Sequence, residues 1–458
     1  MKVVICGAGQ VGFGIAERLA REQNDVSIVD ANPRNIQIAT EQLDVRGVVG
    51  HGSHPDVLAK AGAEQADMLI AVTLHDEVNM VACQVAHALF TVPTKVARIR
   101  AQTYLQPEWR DLLSRDHLPI DVVISPEIEV GEMVLRRLSL PGAIDTVNFA
   151  DGAVVVSGVY CGDDCPILDT PLKELTQLFP DLKATIVAVQ RAGKVVVLKS
   201  TDVILAGDVA YFVAAAGQVK RTLSIFGHDE IPGQRIVIAG GGNIGLYVAQ
   251  ELERRNLAAR IKLIETSRER AQTIAEQLSR SVVLHGDALA REILDEAGVP
   301  DADTMIALTN DDRINILSCL LAKQVGARRI LALLNEQGYA AFARGLGIDA
   351  HVNPRQITVS KVLQHVRRGR IRGVHALLDG AGEMMEAEAL ETSPLVGRPL
   401  RDIDQLDGLR VGAIVRGGEV ILPSGELVVR AQDRVILFAL ADRIKRVEQL
   451  FRVSLEFF

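Results

Sequence analysis

The sequence predicts an α/β fold built twice over, each copy a parallel-sheet domain followed by a small β-rich (α+β) subdomain. Three observations predict it. A G-x-G-x-x-G turn occurs as Gly7-Ala8-Gly9-Gln10-Val11-Gly12 and again as Gly240-Gly241-Gly242-Asn243-Ile244-Gly245, each directly after an apolar run. Later landmarks keep nearly the same offset: Asp30 becomes Glu265, Thr73 becomes Thr309, Asp76 becomes Asp312 and Asn79 becomes Asn315, shifts of 235 to 236 positions. In both halves, short β-branched runs alternate with helical periodicity, the pattern of parallel strands joined by right-handed crossovers. Two tandem Rossmann-like domains are therefore expected.

In order, residues 2–6 are the first strand, and Val11, Ile15 and Leu19 mark the helix after the turn. Val26-Ser27-Ile28-Val29 ends on Asp30, and Asn32 with Pro33 supplies an N-cap and a first-turn proline. Residues 45–49 form a third strand closed by Gly50-His51-Gly52, with Ser53 and Pro55 opening a helix. Residues 68–72, 95–99 and 121–124 complete six strands. The second copy repeats them at 235–239, 261–264, 282–284, 305–308, 329–334 and 349–352.

Pro126 and Pro354 each open an amphipathic helix after the sixth strand. The apolar stripes Val130, Met133, Val134, Leu138 and Val359, Val362, Leu363, Val366 either pack within their own domain or pair with another copy. Beyond them the texture changes to short strands broken by Gly, Asp and Pro. This part also recurs, with Pro171-Leu172 matching Pro399-Leu400, Arg191 matching Arg416 and Gly207-Asp208 matching Gln432-Asp433. The expected domains are 1–140, 144–226, 233–370 and 374–458, with a link between repeats at 227–234.

The 458 residues suit three or four domains, and 48% hydrophobic residues with 4% aromatic fits Val/Ile/Leu/Ala strands packed between helices. Against 58 acidic residues stand 50 basic ones, and a net charge of −8 argues against a nucleic-acid partner. No apolar run approaches the ~20 residues that span a bilayer, and no cleavable signal pattern precedes the first turn, so a cytoplasmic chain is expected. Five cysteines, Cys6, Cys83, Cys161, Cys165 and Cys319, read as buried reduced thiols. Cys161 and Cys165, in Cys-Gly-Asp-Asp-Cys, are the one pair whose spacing also admits a metal or redox role.

In a G-x-G-x-x-G turn the first glycine makes the bend, the second lets a pyrophosphate approach, the third packs helix on strand, and the helix N-terminus offers free N–H groups to the anion. Asp30 and Glu265 end the next strand of each copy, where a carboxylate accepts from ribose hydroxyls and repels a 2′-phosphate. Arg98 and Arg100 on strand five of the first copy suit a polyphosphate, and Ala332 and Leu334 are read as their counterparts in the second. His51, His54, His75 and His285 lie near the ligand loops without any Ser/His/Asp or Cys/His arrangement beside them. Binding without chemistry points to sensing.

On these residues the chain resembles the tandem regulator-of-potassium-conductance proteins that serve bacterial Trk-type potassium uptake, over essentially its whole length. The resemblance implies a non-enzymatic, cytoplasmic regulatory subunit at the inner face of the plasma membrane. It also implies a homo-oligomeric ring, tetramer or dimer, beneath a membrane potassium-translocating subunit, with NAD(H) and ATP/ADP as ligands. Carried over, Gly7, Gly9, Gln10, Val11 and Gly12 hold phosphates and Asp30 holds ribose. Gly50, His51, Gly52 and Ser53 lie by the adenine, Thr73 and Asp76 line the pocket, and Arg98 and Arg100 face the terminal phosphate. Gly240, Gly242, Asn243, Ile244, Gly245, Glu265, Gly286, Asp287, Thr309 and Asp312 hold the matching positions of the second copy. The alternative is an NAD-dependent oxidoreductase that uses the β-rich parts as substrate lids.

Overall fold

The computed structural model describes the chain except residues 115, 180, 230–232, 257, 344, 367–370, 378–380, 404–407 and 452–458. It divides into two compact units that each draw on both repeats: Met1–Glu132 with Gln234–Val366, and Met133–Gly233 with Arg367–Phe458. Part of the expected link, residues 230–232, lies outside the described residues.

The first lobe of the first unit runs β1 (Lys2–Cys6), α1 (Gln10–Arg21), β2 (Asp25–Asp30), α2 (Pro33–Gln42), β3 (Arg46–Val49), α3 (Pro55–Lys60), β4 (Met68–Ala71), α4 (Asp76–Phe90), β5 (Thr94–Arg98), β6 (Val122–Ile124) and the start of α5 (Pro126–Ser139), whose residues from Met133 on belong to the second unit. Its strands are parallel in the order β3-β2-β1-β4-β5-β6. Val3 and Ile5 enter one core while Val4 and Cys6 enter another on the opposite face. Burial on both faces is why these strands read as continuous apolar runs rather than alternating ones.

The first β-rich subdomain, in the second unit, comprises β7 (Ala143–Phe149), β8 (Val154–Tyr160), α6 (Leu172–Leu178), β9 (Ala184–Arg191), β10 (Lys194–Val196), β11 (Val209–Ala215) and α7 (Val219–Ile225). The second lobe repeats the first as β12 (Arg235–Ala239), α8 (Asn243–Arg255), β13 (Arg260–Glu265), α9 (Arg268–Gln277), β14 (Val282–His285), α10 (Arg291–Glu296), β15 (Thr304–Ala307), α11 (Asp312–Val325), β16 (Ile330–Leu333), α12 (Gln337–Ala343), β17 (Ala350–Val352) and α13 (Pro354–Val366). Its sheet order, β14-β13-β12-β15-β16-β17, is that of the first lobe. The second β-rich subdomain has β18 (Ile371–Leu377), β19 (Gly382–Glu388), β20 (Leu409–Arg416), β21 (Glu419–Ile421), β22 (Arg434–Leu440) and α14 (Ile444–Leu450).

Both β-rich sheets are antiparallel, ordered β10-β9-β11-β8-β7 and β18-β19-β22-β20-β21. The recurring Asp has the same task in each. Asp208 is buried and accepts from Arg191 at 2.9 and 2.7 Å, while buried Asp433 accepts from Arg416 at 2.8 and 2.7 Å. Within this unit the two sheets share one core, Phe149, Val156, Tyr211 and Val213 meeting Met384, Ala413, Ile436 and Phe438.

In the first unit the proline-led helices are exchanged between repeats. From α13 of the second repeat, Val362, Leu363 and Val366 enter the core of Val3, Ile15 and Leu19 in the first lobe. Reciprocally, α5 meets α8: Tyr247 lies over Gly131, where an added Cβ would stand 2.3 Å from the ring, and its hydroxyl donates to Glu132 at 2.8 Å. Arg255 also pairs with Glu132, and Lys361 reaches Glu129 at 3.2 Å. Of the two readings of the stripe, pairing with the other copy is the one realised on α13, and within one chain.

The two crossings invert their sizes. On α1 the small residue is Gly14, whose added Cβ would come 3.2 Å from both Arg355 Nε and Val359 Cγ2, whereas on α8 the large residue Tyr247 faces small Gly131. Glycine at 131 is therefore required by Tyr247. We expect Gly131→Leu to destabilise the protein by about 1–3 kcal/mol through overpacking, with much of the loss recovered in a Tyr247→Gly background. Urea denaturation of the double-mutant cycle checks this, and strictly additive effects would show that the two residues do not oppose each other.

Candidate functional site

The adjacent β1 and β4 leave a crevice at their C-terminal ends, the place where open parallel sheets bind ligands. Gly7 turns there with φ +106°, and a Cβ on it would meet Thr73 N at 3.0 Å. A Cβ on Gly12 would stand 1.8 Å from Gly7 O, so the third glycine is fixed by helix–strand packing. Gly9 differs, because a Cβ there would meet nothing within 4 Å. Its bareness serves no packing need, and it leaves the N-terminus of α1 open to a ligand. The second turn is alike, with Gly240 at φ +103°, Gly245 against Gly240 O at 2.0 Å and Gly242 facing open space.

Asp30 closes the turn from the side. Its Oδ2 accepts from Ala8 N at 2.7 Å and its Oδ1 from Asn32 N at 2.8 Å, which leaves lone pairs on both oxygens for a hydroxyl donor. Glu265 accepts from Gly241 N and Ser267 N, each at 2.8 Å. In place of Ala8 the second copy has Gly241, where a Cβ would stand 2.3 Å from Ile274 and 3.0 Å from Glu265. The longer carboxylate and Ile274 take the space of a methyl group.

The Thr-x-x-Asp-x-x-Asn series is a clamp. Fully buried Asn79 accepts from Thr73 N and Oγ1 at 2.9 and 2.8 Å and donates to Thr73 O and Arg98 O at 3.2 and 2.9 Å, tying the ends of β4 and β5 together. Asp76 accepts from Arg100 N and Ala101 N, as Asp312 does from Asn335 N and Glu336 N. Thr73 lines the crevice, but Asp76 does not: its carboxylate is spent on backbone N–H groups that would otherwise be unpaired. Thr309 and Asn315 repeat the Thr73–Asn79 bonds at 2.9 and 2.7 Å.

A cavity of about 700 Å³ fills the crevice, lined in the first lobe by Gly7, Gly9, Gln10, Val11, Asp30, His51, Gly52, Thr73, His75, Arg98 and Arg100. Gly12, Gly50 and Ser53 are not among the residues lining it. Gly50 is held small by Val57, as Gly286 is by Ile293, and Ser53 Oγ lies 2.8 Å from His51 Nδ1. Asp287, at the corresponding loop of the second lobe, accepts from Leu289 N at 2.9 Å. The His54 ring lies tilted against His51 with centroids 4.9 Å apart, and His285 Nε2 lies 3.1 Å from Thr266 O.

Arg98 carries the chemistry of this cavity. It is 9% exposed, and its Nε has no hydrogen-bond partner among the described residues. Burial first, and then the charge of Arg100, lowers its pKa against the opposing pull of Glu127 and Asp76. A desolvated guanidinium facing a cavity is stabilised by an anion entering it. Arg100 is held differently, its Nε donating to buried Glu127 at 2.9 Å.

The structure corrects the counterparts of these arginines. Asn79 reaches Arg98 O where Asn315 reaches Leu333 O, and Ala97 pairs with Ala71 where Ala332 pairs with Ala307. Arg98 and Arg100 therefore match Leu333 and Asn335, not Ala332 and Leu334. Leu334 is fully buried like Ile99, because a slip of one residue moves a strand's side chains to the opposite face.

Sequence reasoning missed that the second lobe walls this cavity too, through Ile244, Asn310, Leu333, Asn335, Arg355 and Thr358. Ile244, expected at the second turn's own ligand, borders the first pocket. The helix exchange explains this, since α13 covers α1 and brings its first turn to the crevice. The only sequence signal was the apolar stripe on α13. All five cysteines are unpaired and buried, and burial pushes the thiols of Cys6 and Cys319 up to about 12. Among the described residues no cluster of three or more His, Cys, Asp or Glu could hold a metal, and no helix is long and apolar enough to cross a membrane.

Comparison with known proteins agrees with this architecture. The TrkA-N domain model matches residues 3–126 and 236–354, and the TrkA-C domain model matches residues 384–452. The Trk system potassium uptake protein TrkA of Azorhizobium caulinodans is 83% identical over 100% of both chains, and that of Halomonas elongata is 42% identical over the same share. A solved structure, the GsuK channel bound to NAD, has the same fold at a TM-score of 0.60 and 18% identity, covering 98% of this chain and 78% of that one. The chain thus belongs to the TrkA family of Trk system potassium uptake proteins.

Proposed function

We propose that this chain is the nucleotide-sensing regulatory subunit of a Trk-type potassium uptake system, binding NAD(H) and ATP/ADP and gating a membrane potassium-translocating subunit. The observation that carries the reading is the buried, unpartnered Nε of Arg98 facing a cavity built on an open glycine turn. Gly9 and the N-terminus of α1 would hold phosphate, Asp30 the ribose, and Arg98 and Arg100 a terminal phosphate. Bound there, the ligand acts as a signal rather than a substrate, a reading that membership of the TrkA family supports. The subunit works as a homo-oligomeric ring, tetramer or dimer, at the inner face of the membrane through its partner.

A ligand can gate a partner only through the difference in its affinity for two shapes of the ring. Converting a 1:99 population into 99:1 takes about 5.5 kcal/mol, whereas one charge-assisted hydrogen bond contributes about 1.5–3 kcal/mol. Several pockets must act together, which accounts for a ring of repeated units.

Three outcomes are expected. By calorimetry, Arg98→Ala weakens ATP by roughly tenfold or more with little change in AMP, while Asp30→Ala weakens all adenosine ligands. An unchanged ATP-to-AMP ratio in both Arg98→Ala and Arg100→Ala would assign these arginines to the fold. In solution scattering, the oligomer changes shape between ATP, ADP and NADH, and identical profiles would contradict gating by the ring. From detergent-solubilised membranes, the tagged protein captures a potassium-channel-like membrane subunit and purifies without turning over hydroxy or keto acids with NADH. Such turnover would favour an oxidoreductase.

A further inference from the structure

Arg355 is the second residue of α13 and borders the first lobe's cavity together with Gly9 and Arg98, although it comes from the second repeat. Its guanidinium lies against α1 at Gly14, where an added Cβ would be 3.2 Å from Nε and 3.3 Å from Nη2. Glycine at that position of α1 leaves the guanidinium room that a Cβ would narrow by a few tenths of an ångström. Among the described residues Arg355 makes no hydrogen bond or ion pair, unlike Arg100, which Glu127 holds.

Its place in the helix also calls for a reason. The first turn of a helix carries the positive end of the peptide dipoles and disfavours a cation there. The equivalent residue of the first repeat, after Pro126, is Glu127, a carboxylate in the electrostatically favoured place. A cation at position 355 thus gains nothing from its own helix and makes no ion pair among the described residues. What it faces is the cavity, where Arg98 is already unpartnered. Two cations from different repeats converge on one space.

We propose that Arg355 is a phosphate-reading residue of the first pocket, donated by the second repeat, and that it selects nucleoside triphosphates over ligands with fewer phosphates. A triphosphate bonded to both Arg98 and Arg355 would link α13 to β5 and so couple occupancy to the fit of the two lobes. A monophosphate on the glycine turn would lack that link. This inference rests on the nucleotide reading of the site.

The test is calorimetry of ATP, ADP and AMP on the full-length protein and on Arg355→Gln, with Arg98→Ala measured alongside. The expected result is at least a tenfold loss of ATP affinity in Arg355→Gln with AMP unchanged, and a loss of the ATP-induced rise in Tm relative to AMP. Should Arg355→Gln not fold, Arg355→Met keeps the packing on Gly14 and Val359 and is read the same way. An ATP-to-AMP ratio equal to that of the parent, with Arg98→Ala still impaired, overturns this proposal alone. Failure of the parent protein to bind any of the three overturns the nucleotide reading beneath it.

Discussion

The exchange of proline-led helices between repeats is the constraint on which the rest depends. A single lobe leaves the outer face of its glycine-turn helix bare, and in the first lobe that face is covered by Val362, Leu363 and Val366 of the second repeat. Neither copy is complete alone, which is a physical reason for finding two in one chain. The crossings are also unequal: Gly14 receives Arg355 and Val359, while Tyr247 occupies the space over Gly131. Pairing two first repeats would set Gly14 against Gly131 and leave a void, whereas pairing two second repeats would drive Tyr247 into Val359. Voids and overpacking each cost on the order of 1–3 kcal/mol or more, so the sizes favour first with second.

From that exchange follows a composite pocket. The glycine turn, Asp30 and Arg98 belong to one repeat, and Asn335 and Arg355 to the other. Behind them, Asn79 and Asp76 satisfy the backbone of the loops after β4 and β5, so the residues facing the cavity stand on a rigid frame. The second lobe has the same frame in Asn315 and Asp312 but presents Leu333 and Asn335 in place of the arginines. The two lobes thus differ in charge at the ends of β5 and β16, where the first presents two arginines and the second a leucine and an asparagine.

Much of this was legible in the sequence because it is local. Gly7 and Gly12 are needed by the turn itself, Asp30 ends its strand at a fixed distance, and apolar runs of four or five residues reveal strands buried on both faces. The partner of the α13 stripe was not legible, since periodicity shows that a face is covered but not by what. The arginine counterparts were misread by one residue because a strand's period of two makes adjacent registers look alike until the hydrogen bonds of Asn79 and Asn315 fix them. Asp76 looked like a ligand residue for a related reason: the backbone N–H groups it satisfies belong to a loop whose path the sequence does not reveal.

Hydrogen–deuterium exchange with and without ATP tests the composite pocket most directly, because backbone protection reports each repeat separately. The structure predicts protection of residues 7–12 and 98–101 in the first repeat together with 333–335 and 354–358 in the second. Protection confined to the first repeat, with 333–335 and 354–358 unchanged, would contradict a pocket shared between the two.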